Sequence, residues 1–330
     1  MFRRREFLTS AVAAVSAGAT IAPSAAWAAA GRSRGVSVRF NWTMKGEFAP
    51  FVVAREKGFY RDAGIDAQLN PGTSGTQAAT SVAVGHDDFG FIPSVQVIGG
   101  ITSQQMPLRA VATVGSYTGM CWASRADVPL TGPRSLEGRR VSISPSSTFF
   151  QVWESFAKHF NVDRSKVEVV SADPSARVGL FLGKRVDVMA DIFLANDFVI
   201  LQSKVNEKLN LWRLSQVDFD PLGYLLVTTT GLIQRDPALV KAFTGATLRG
   251  VRFTLDHPDE ASAIIARAYD NLTAGVYQGQ VKQLATLVNA KPVLGRNEPD
   301  AWSRSLGILY NAGMIERELD HASYYTNAFV

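Results

Sequence analysis

From residue 36 onward, short apolar runs of strand character alternate with amphipathic helical stretches. This alternation confines the chain to an α/β fold with a sheet covered by helices. Val36-Ser37-Val38-Arg39-Phe40 alternates in and out as a strand does. Phe48–Lys57 reads as a helix stopped by Gly58, Asp66–Asn70 as a strand, Gln77–Val84 as a helix after a turn-rich segment. Asp88–Ile92, a helix over Ser94–Ser103 and a buried strand over Leu108–Val114 continue the series. The pattern then restarts. Arg140–Ser144 is a strand, and Ser146-Ser147-Thr148 caps a helix over Phe149–Phe160 with Val152, Trp153, Phe156 and Phe160 on one face. Strands at Val167–Val170 and Val186–Met189 alternate with helices at Ala176–Leu182 and Asn196–Ser203, and strands follow at Leu211–Leu214 and Tyr224–Thr229. After Gly231 the chain turns helical, with Pro237 and Pro258 in first turns and further helices at Gln278–Val288, Asp300–Ala312 and Ser323–Ala328. Two such units present their strand ends to each other, and ligands of open α/β sheets bind outside the carboxyl ends of the strands.

The first residues carry a different signal. Arg3, Arg4 and Arg5 precede a nearly uncharged Ala/Val/Ser/Thr-rich run, too weakly apolar for a membrane span, and Ala26-Trp27-Ala28 is an A-x-A cleavage site. Arg4-Arg5-Glu6-Phe7-Leu8 resembles the twin-arginine export signal, although Arg3 stands where Ser or Thr is usual. Residues 1–28 are therefore read as a signal peptide and the remainder as periplasmic. Cleavage leaves about 300 residues, enough for two ordinary domains.

Composition removes several classes of function. Charged residues are 19% of the chain and interspersed, and the net charge of +5 forms no basic stripe of the kind nucleic-acid binding needs. Cys121 is the single cysteine, so there is no intramolecular disulfide and no Cys-rich metal site; it reads as a small buried residue. His86, His159, His257 and His321 show no metal-ligand spacing. No metal and no cofactor is expected.

Several loops resemble a known family. Phe40-Asn41-Trp42-Thr43, then Ala49 through Tyr60 with Ala63-Gly64-Ile65, look like the opening of periplasmic binding proteins for sulfonates, nitrate and thiamine-pyrimidine precursors. Gly72-Thr73-Ser74-Gly75-Thr76, Asp88-Phe89-Gly90-Phe91, Leu136-Glu137-Gly138-Arg139-Arg140-Val141 and Gly183-Lys184-Arg185-Val186-Asp187 match that family's later loops in order. The resemblance implies a two-lobed type II binding-protein fold, each lobe a mixed sheet flanked by helices. One lobe would hold 29–118 plus 223–330 and the other 119–222. It also implies delivery of a ligand to an ABC permease by hinged closure. Two enzyme groups share the fold. Fungal thiamine-pyrimidine synthases carry a Cys-rich motif, and aromatic sulfinate desulfinases a catalytic Cys in the loop after the first strand; here that loop reads Asn41-Trp42-Thr43-Met44-Lys45-Gly46-Glu47. Both lose their central residue, so the expectation is a binder and not an enzyme.

Candidate ligand residues cluster at strand ends. Trp42 can stack on a planar ligand or pack at the surface. Glu47, beside Phe48, can accept from ring N–H groups or favour a helix's first turn; Lys45 reads as solvated. Ser74, Gly75 and Thr76, faced by Ser147 and Thr148, offer helix starts suited to an anion, or plain caps. Phe91, Pro93, Ser94, Tyr117 and Trp122 would line further strand ends or the hinge. Asp191 and Phe193, placed after the Val186–Met189 strand, and Tyr224 complete an aromatic-lined set with few polar groups. The expected ligand is a small planar molecule, a pyrimidine or other vitamin precursor ahead of a sulfonate or aromatic carboxylate, because cleft arginines are scarce. The protein is read as a monomer. An exported enzyme on this fold and a sensor reporting to a membrane receptor are the competing functions.

Overall fold

In the computed structural model, which describes residues 33–145, 147–288 and 293–330, the chain builds two separate five-stranded sheets. The leader read at 1–28 lies outside the described residues. The first sheet starts with β1 (Arg34–Phe40), a 3-10 turn at Gly46–Phe48, α1 (Ala49–Glu56), α2 (Phe59–Asp62), β2 (Ile65–Asn70), α3 (Gly75–Ala83), β3 (Phe89–Pro93), α4 (Ser94–Gln104) and β4 (Leu108–Thr113). The chain crosses to the second sheet as β5 (Met120–Ser124). There follow β6 (Arg140–Ile143), α5 (Thr148–His159), β7 (Glu168–Ser171), α6 (Pro174–Leu182), β8 (Val188–Phe193), a π-helical turn at Leu194–Phe198, α7 (Val199–Gln202) and β9 (Asn210–Arg213). It returns to the first sheet as β10 (Tyr224–Thr229). Helices α8 (Thr230–Arg235), α9 (Pro237–Asp256), α10 (Pro258–Ala268), α11 (Ala274–Ala285) and α12 (Pro299–Asn311) come after it.

The strand orders are β2-β1-β3-β10-β4 and β7-β6-β8-β5-β9. In the first, β1 runs parallel to β2 and β3, with Val38 opposite Leu69 and Phe40 opposite Phe91, and β10 inserts antiparallel between β3 and β4. In the second, β6 is parallel to β7 and β8, while β5 runs antiparallel to β8 and β9. Both linkers leave or enter at one end of each sheet. The first runs from the carboxyl end of β4 to Met120, which pairs with Phe193 at the carboxyl end of β8, and the second returns from the carboxyl end of β9 to Tyr224, which pairs with Pro93 at the carboxyl end of β3. The carboxyl ends of the parallel strands in both sheets therefore point toward the linkers and toward each other.

Local chemistry explains the elements. Burial along β1 alternates, with Val36, Val38 and Phe40 inside. Pro50 occupies the first turn of α1, where a missing N–H costs nothing, and Gly58 takes the left-handed backbone (φ 77°) that ends this segment. Ser147 caps α5 by accepting from the Phe150 N–H at 3.1 Å.

Several expectations needed correction. Strand β5 was not foreseen, because Met-Cys-Trp-Ala-Ser is buried at every position and shows no alternation. Strand β8 extends to Phe193, so Asp191 and Phe193 lie within it. The helix expected at Gln278–Val288 starts earlier, at Ala274, where Thr273 caps it. No helix forms over Ser323–Ala328; a 3-10 turn at His321–Ser323 is followed by a bridge from Tyr325 to Ala110 at the edge of the first sheet.

The core is continuous between the sheets. One buried cluster joins Ile92, Leu225 and Val227 of the first sheet to Trp122, Val141 and Val188 of the second, with Trp302 and Leu306 of α12. A second fills the opposite face of the first sheet beneath α1 and α9, and a third backs the second sheet around Cys121, Met189 and Leu201. Among the described residues no helix is long and apolar enough to cross a membrane.

Candidate functional site

The loop after β1 carries the first half of the site. Trp42 is 46% exposed at the strand's end. Beyond it Lys45, read from sequence as solvated, is only 6% exposed, and Glu47 only 2%. The Lys45 ammonium lies 2.5 Å from the Glu47 carboxylate and donates to the Tyr224 hydroxyl at 2.9 Å. It also sits over the rings of Phe48 and Tyr224, 5.2 and 5.3 Å from their centroids. Burial works against the lysine's charge, yet Glu47 and Tyr224 hold its pKa above the ordinary value. Burial, with Glu47 adding to it, pushes the Tyr224 hydroxyl up as well. The rings form a connected stack, with Phe91 on Tyr224 at 4.7 Å and Phe48 edge-on to Phe91 at 6.0 Å.

The second half comes from the facing sheet. Asp191, 3% exposed, accepts from the Ser144 N–H at 2.7 Å and pairs with Arg177 of α6 at 3.0 Å. Arg177 also bonds the Asp197 carboxylate at 2.7 Å, and Asp197 accepts from the Phe193 N–H at 3.0 Å. Burial pushes the Asp191 carboxyl up, against the pull of Arg177. For Arg177 itself burial is more than offset by Asp197 and Asp191, and its pKa is raised. Lys45 and Arg177 are the only buried basic side chains among the described residues, and each is matched by carboxylates.

Helix α11 joins the two halves. Its fully buried Gln280 accepts from the Gly46 N–H at 2.7 Å and donates to the side-chain Oδ1 of Asn196 at 3.0 Å. A Cβ on residue 46 would come within 2.5 Å of the Gln280 Cβ, so glycine is the residue that permits this approach. One glutamine thus ties the loop after β1 in the first sheet to the turn after β8 in the second.

Other expected residues divide. Phe48, Tyr224 and Glu47 come together around Lys45 with Phe91 stacked on Tyr224, but Phe48 and Phe91 are fully buried like Trp122, and Asp191 and Phe193 lie at the facing strand end. Ser74, Gly75 and Thr76 sit at the exposed start of α3, where the Ser74 hydroxyl accepts from the Gln77 N–H at 3.1 Å; Ser147 and Thr148 start α5. Pro93 closes β3, half-buried. Trp122 does not line the site. It is fully buried against Trp212, Phe149 and Phe156, because β5 is an internal strand covered on both faces. Ser94 is also sealed, donating through its hydroxyl to the Leu222 carbonyl and through its N–H to Gly223, so it pins a linker. Tyr117 borders a cavity of about 410 Å³ beside the linkers, with Leu222, Leu287 and Arg304 among its walls. There Arg304 stacks over the Tyr117 ring at 4.7 Å and donates to the carbonyls of Ser116 and Asp220. Sequence reasoning missed Arg177, Asp197, Asn196 and Gln280. Arg177 had one available signal, its place in the first turn of a helix that follows a strand end; Gln280 had none.

Cys121 is fully buried and burial raises its thiol pKa, so it is no nucleophile. No group of three or more His, Cys, Asp or Glu side chains among the described residues could hold a metal ion.

Two mixed sheets flanked by helices, with opposed strand ends and two linkers, define the fold of the periplasmic binding proteins. The aliphatic sulphonate-binding protein SsuA of Escherichia coli superposes with a TM-score of 0.69 at 13% identity, over 88% of this chain and 91% of that one. The chain belongs to the NMT1/THI5-like family, whose model matches residues 45–261. Among curated proteins it is similar to the riboflavin-binding protein RibY of Chloroflexus aurantiacus, 24% identical over 86% of this chain and 82% of that protein. It is also similar to the 4-amino-5-hydroxymethyl-2-methylpyrimidine phosphate synthase of Legionella pneumophila, 21% identical over 89% and 92%.

Proposed function

We propose that this protein is the extracytoplasmic solute-binding component of an ABC importer, exported through the twin-arginine route and acting as a monomer in the periplasm. The lobe of 29–118 with 223–330 and the lobe of 119–222 would close over a small planar ligand and present it to a permease in the inner membrane. A pyrimidine or other vitamin precursor is the favoured class, and a sulfonate or aromatic carboxylate the second. The observation that carries this reading is the pair of opposed strand ends, one bearing the Phe48–Phe91–Tyr224 rings around a buried polar group and the other bearing Asp191 and Phe193. Apolar walls with a few placed polar groups are the general form of a small-molecule site. The name of the RibY relative supports a planar heteroaromatic ligand.

An enzyme reading draws on the Legionella relative's name. Against it, Cys121 is sealed, and the Ser303 hydroxyl, 3.5 Å from His321 Nε2, is exposed on α12 and lies outside the strand-end residues. Mass spectrometry of whatever co-purifies with the protein tests both readings. A tightly held, chemically unchanged small molecule is the expected result, and adding it at 100 times its Kd raises stability by about 2.7 kcal/mol. Turnover of that molecule into a released product overturns the binder reading.

A further inference from the structure

We propose that Arg109 anchors a small-ligand site on the first sheet, at the end remote from the linkers, and that this site takes a short aliphatic carboxylate. Arg109 is the second residue of β4 and pairs with Thr228, whereas the first linker leaves the strand's other end, beyond Thr113. It borders a cavity of about 250 Å³ together with Ile233 and Gln234 of α8 and Thr326 and Phe329 of the C-terminal segment. Its side-chain Nε is buried, and no acceptor among the described residues bonds it. Burial pushes the guanidinium's pKa down, and no neighbouring carboxylate opposes that shift. Other part-buried arginines are matched: Arg39 by Asp87 at 2.8 Å, and Arg177 by Asp191 at 3.0 Å and Asp197 at 2.7 Å. A desolvated cationic donor without an acceptor carries the cost of its lost hydration, and an anion from outside the chain relieves it.

The usual reason for an arginine at this place does not apply. A charged residue on an edge strand ordinarily keeps the edge from pairing. The edge of β4 is already covered, because the Ala110 N–H donates to the Tyr324 carbonyl at 2.9 Å and the Ala110 carbonyl accepts from the Thr326 N–H at 3.0 Å. The walls set the class of ligand. A guanidinium fork matches a carboxylate or a phosphate. Ile233 and Phe329 add apolar surface that a short hydrocarbon chain can cover and a phosphate cannot. The Thr326 hydroxyl is engaged, accepting from the Ala328 N–H at 3.2 Å, which leaves Arg109 to meet the charge.

This site stands apart from the solute-binding reading, and either can fail alone. The test titrates the mature chain with pentanoate, with its uncharged isostere pentanamide and with inorganic phosphate, followed by NMR of the isoleucine methyl groups and by calorimetry. Pentanoate should shift the Ile233 methyl signal saturably and bind at least ~10-fold tighter than pentanamide or phosphate. Arg109→Gln should abolish that preference. Trp42→Ala, at the opposite end of the sheet, should leave it unchanged. If Arg109→Gln does not fold, the ratio of pentanoate to pentanamide read at Ile233 in the parent still decides. The proposal is overturned if pentanoate leaves Ile233 unmoved, if pentanamide or phosphate binds there as well as pentanoate does, or if Arg109→Gln keeps the preference. Loss of pentanoate binding in Trp42→Ala would place the carboxylate at the strand ends near the linkers and overturn it as well.

Discussion

Replacing Gln280 with leucine removes a side chain that bonds both the loop after β1 and the turn after β8, while keeping its bulk. The Gly46 N–H would then be buried beside an apolar surface without an acceptor. Leaving such a donor unsatisfied costs about 1–3 kcal/mol. Asn196 is half-buried and loses an ordinary hydrogen bond, about 0.5–1.5 kcal/mol, part of which water can restore. The expected loss is about 2–4 kcal/mol, read from urea unfolding followed by tryptophan fluorescence. The orientation of the amide is fixed by chemistry, because the Gly46 N–H can only donate and so must face the Gln280 side-chain oxygen. A double-mutant cycle with Asn196→Ala isolates the second bond, and the two substitutions should couple by about 0.5–1.5 kcal/mol. A cost under about 0.5 kcal/mol for Gln280→Leu, or additivity in the cycle, would refute the idea that this residue joins the loops.

Three further outcomes separate core from site. Trp122→Ala should destabilise by about 3–5 kcal/mol as a core truncation, whereas Trp42→Ala, at a 46% exposed position, should barely change stability but weaken ligand binding; the reverse pattern in paired unfolding and binding measurements would be inconsistent with this structure. Asp220 is fully buried where the linkers meet, accepting from the Thr118 N–H at 3.1 Å, the Gly119 N–H at 3.2 Å and the Thr118 hydroxyl. Burial, opposed by the Thr118 bonds, pushes its carboxyl up to about 7. An unfolded aspartate titrates near ~3.9, so this group's stabilisation is full below that value and is lost as pH rises through about 7. Stability of the parent should therefore fall more steeply from pH 5 to 8 than that of Asp220→Asn, and parallel curves would contradict the assignment. Cys121 should resist a thiol reagent in the folded protein and react stoichiometrically in urea; labelling without unfolding would show the strand is not sealed.

Particular residues show how far the sequence carried. Strand β1, helix α5 and its Ser147 cap were legible because each shows a local periodicity or a local hydrogen bond that needs no distant partner. Strand β5 was not, since a strand buried on both faces has no alternating pattern to read. Trp122 was misplaced for the same reason.

Taken by itself, the sequence determined the α/β class and the family loops, which depend on neighbours within a few positions along the chain. It also marked Trp42, Glu47 and Tyr224 as residues worth attention, but as separate side chains. Only the tertiary structure decided that Lys45 is buried and matched by Glu47, that Arg177 is shared by Asp191 and Asp197, and that Gln280 links Gly46 to Asn196. Lys45 and Tyr224 are 179 positions apart, and Gly46 and Gln280 are 234. The net charge at such a place is a sum over distant partners. No local pattern encodes that sum, because it exists only once the sheets have packed and excluded the water that would otherwise screen each charge.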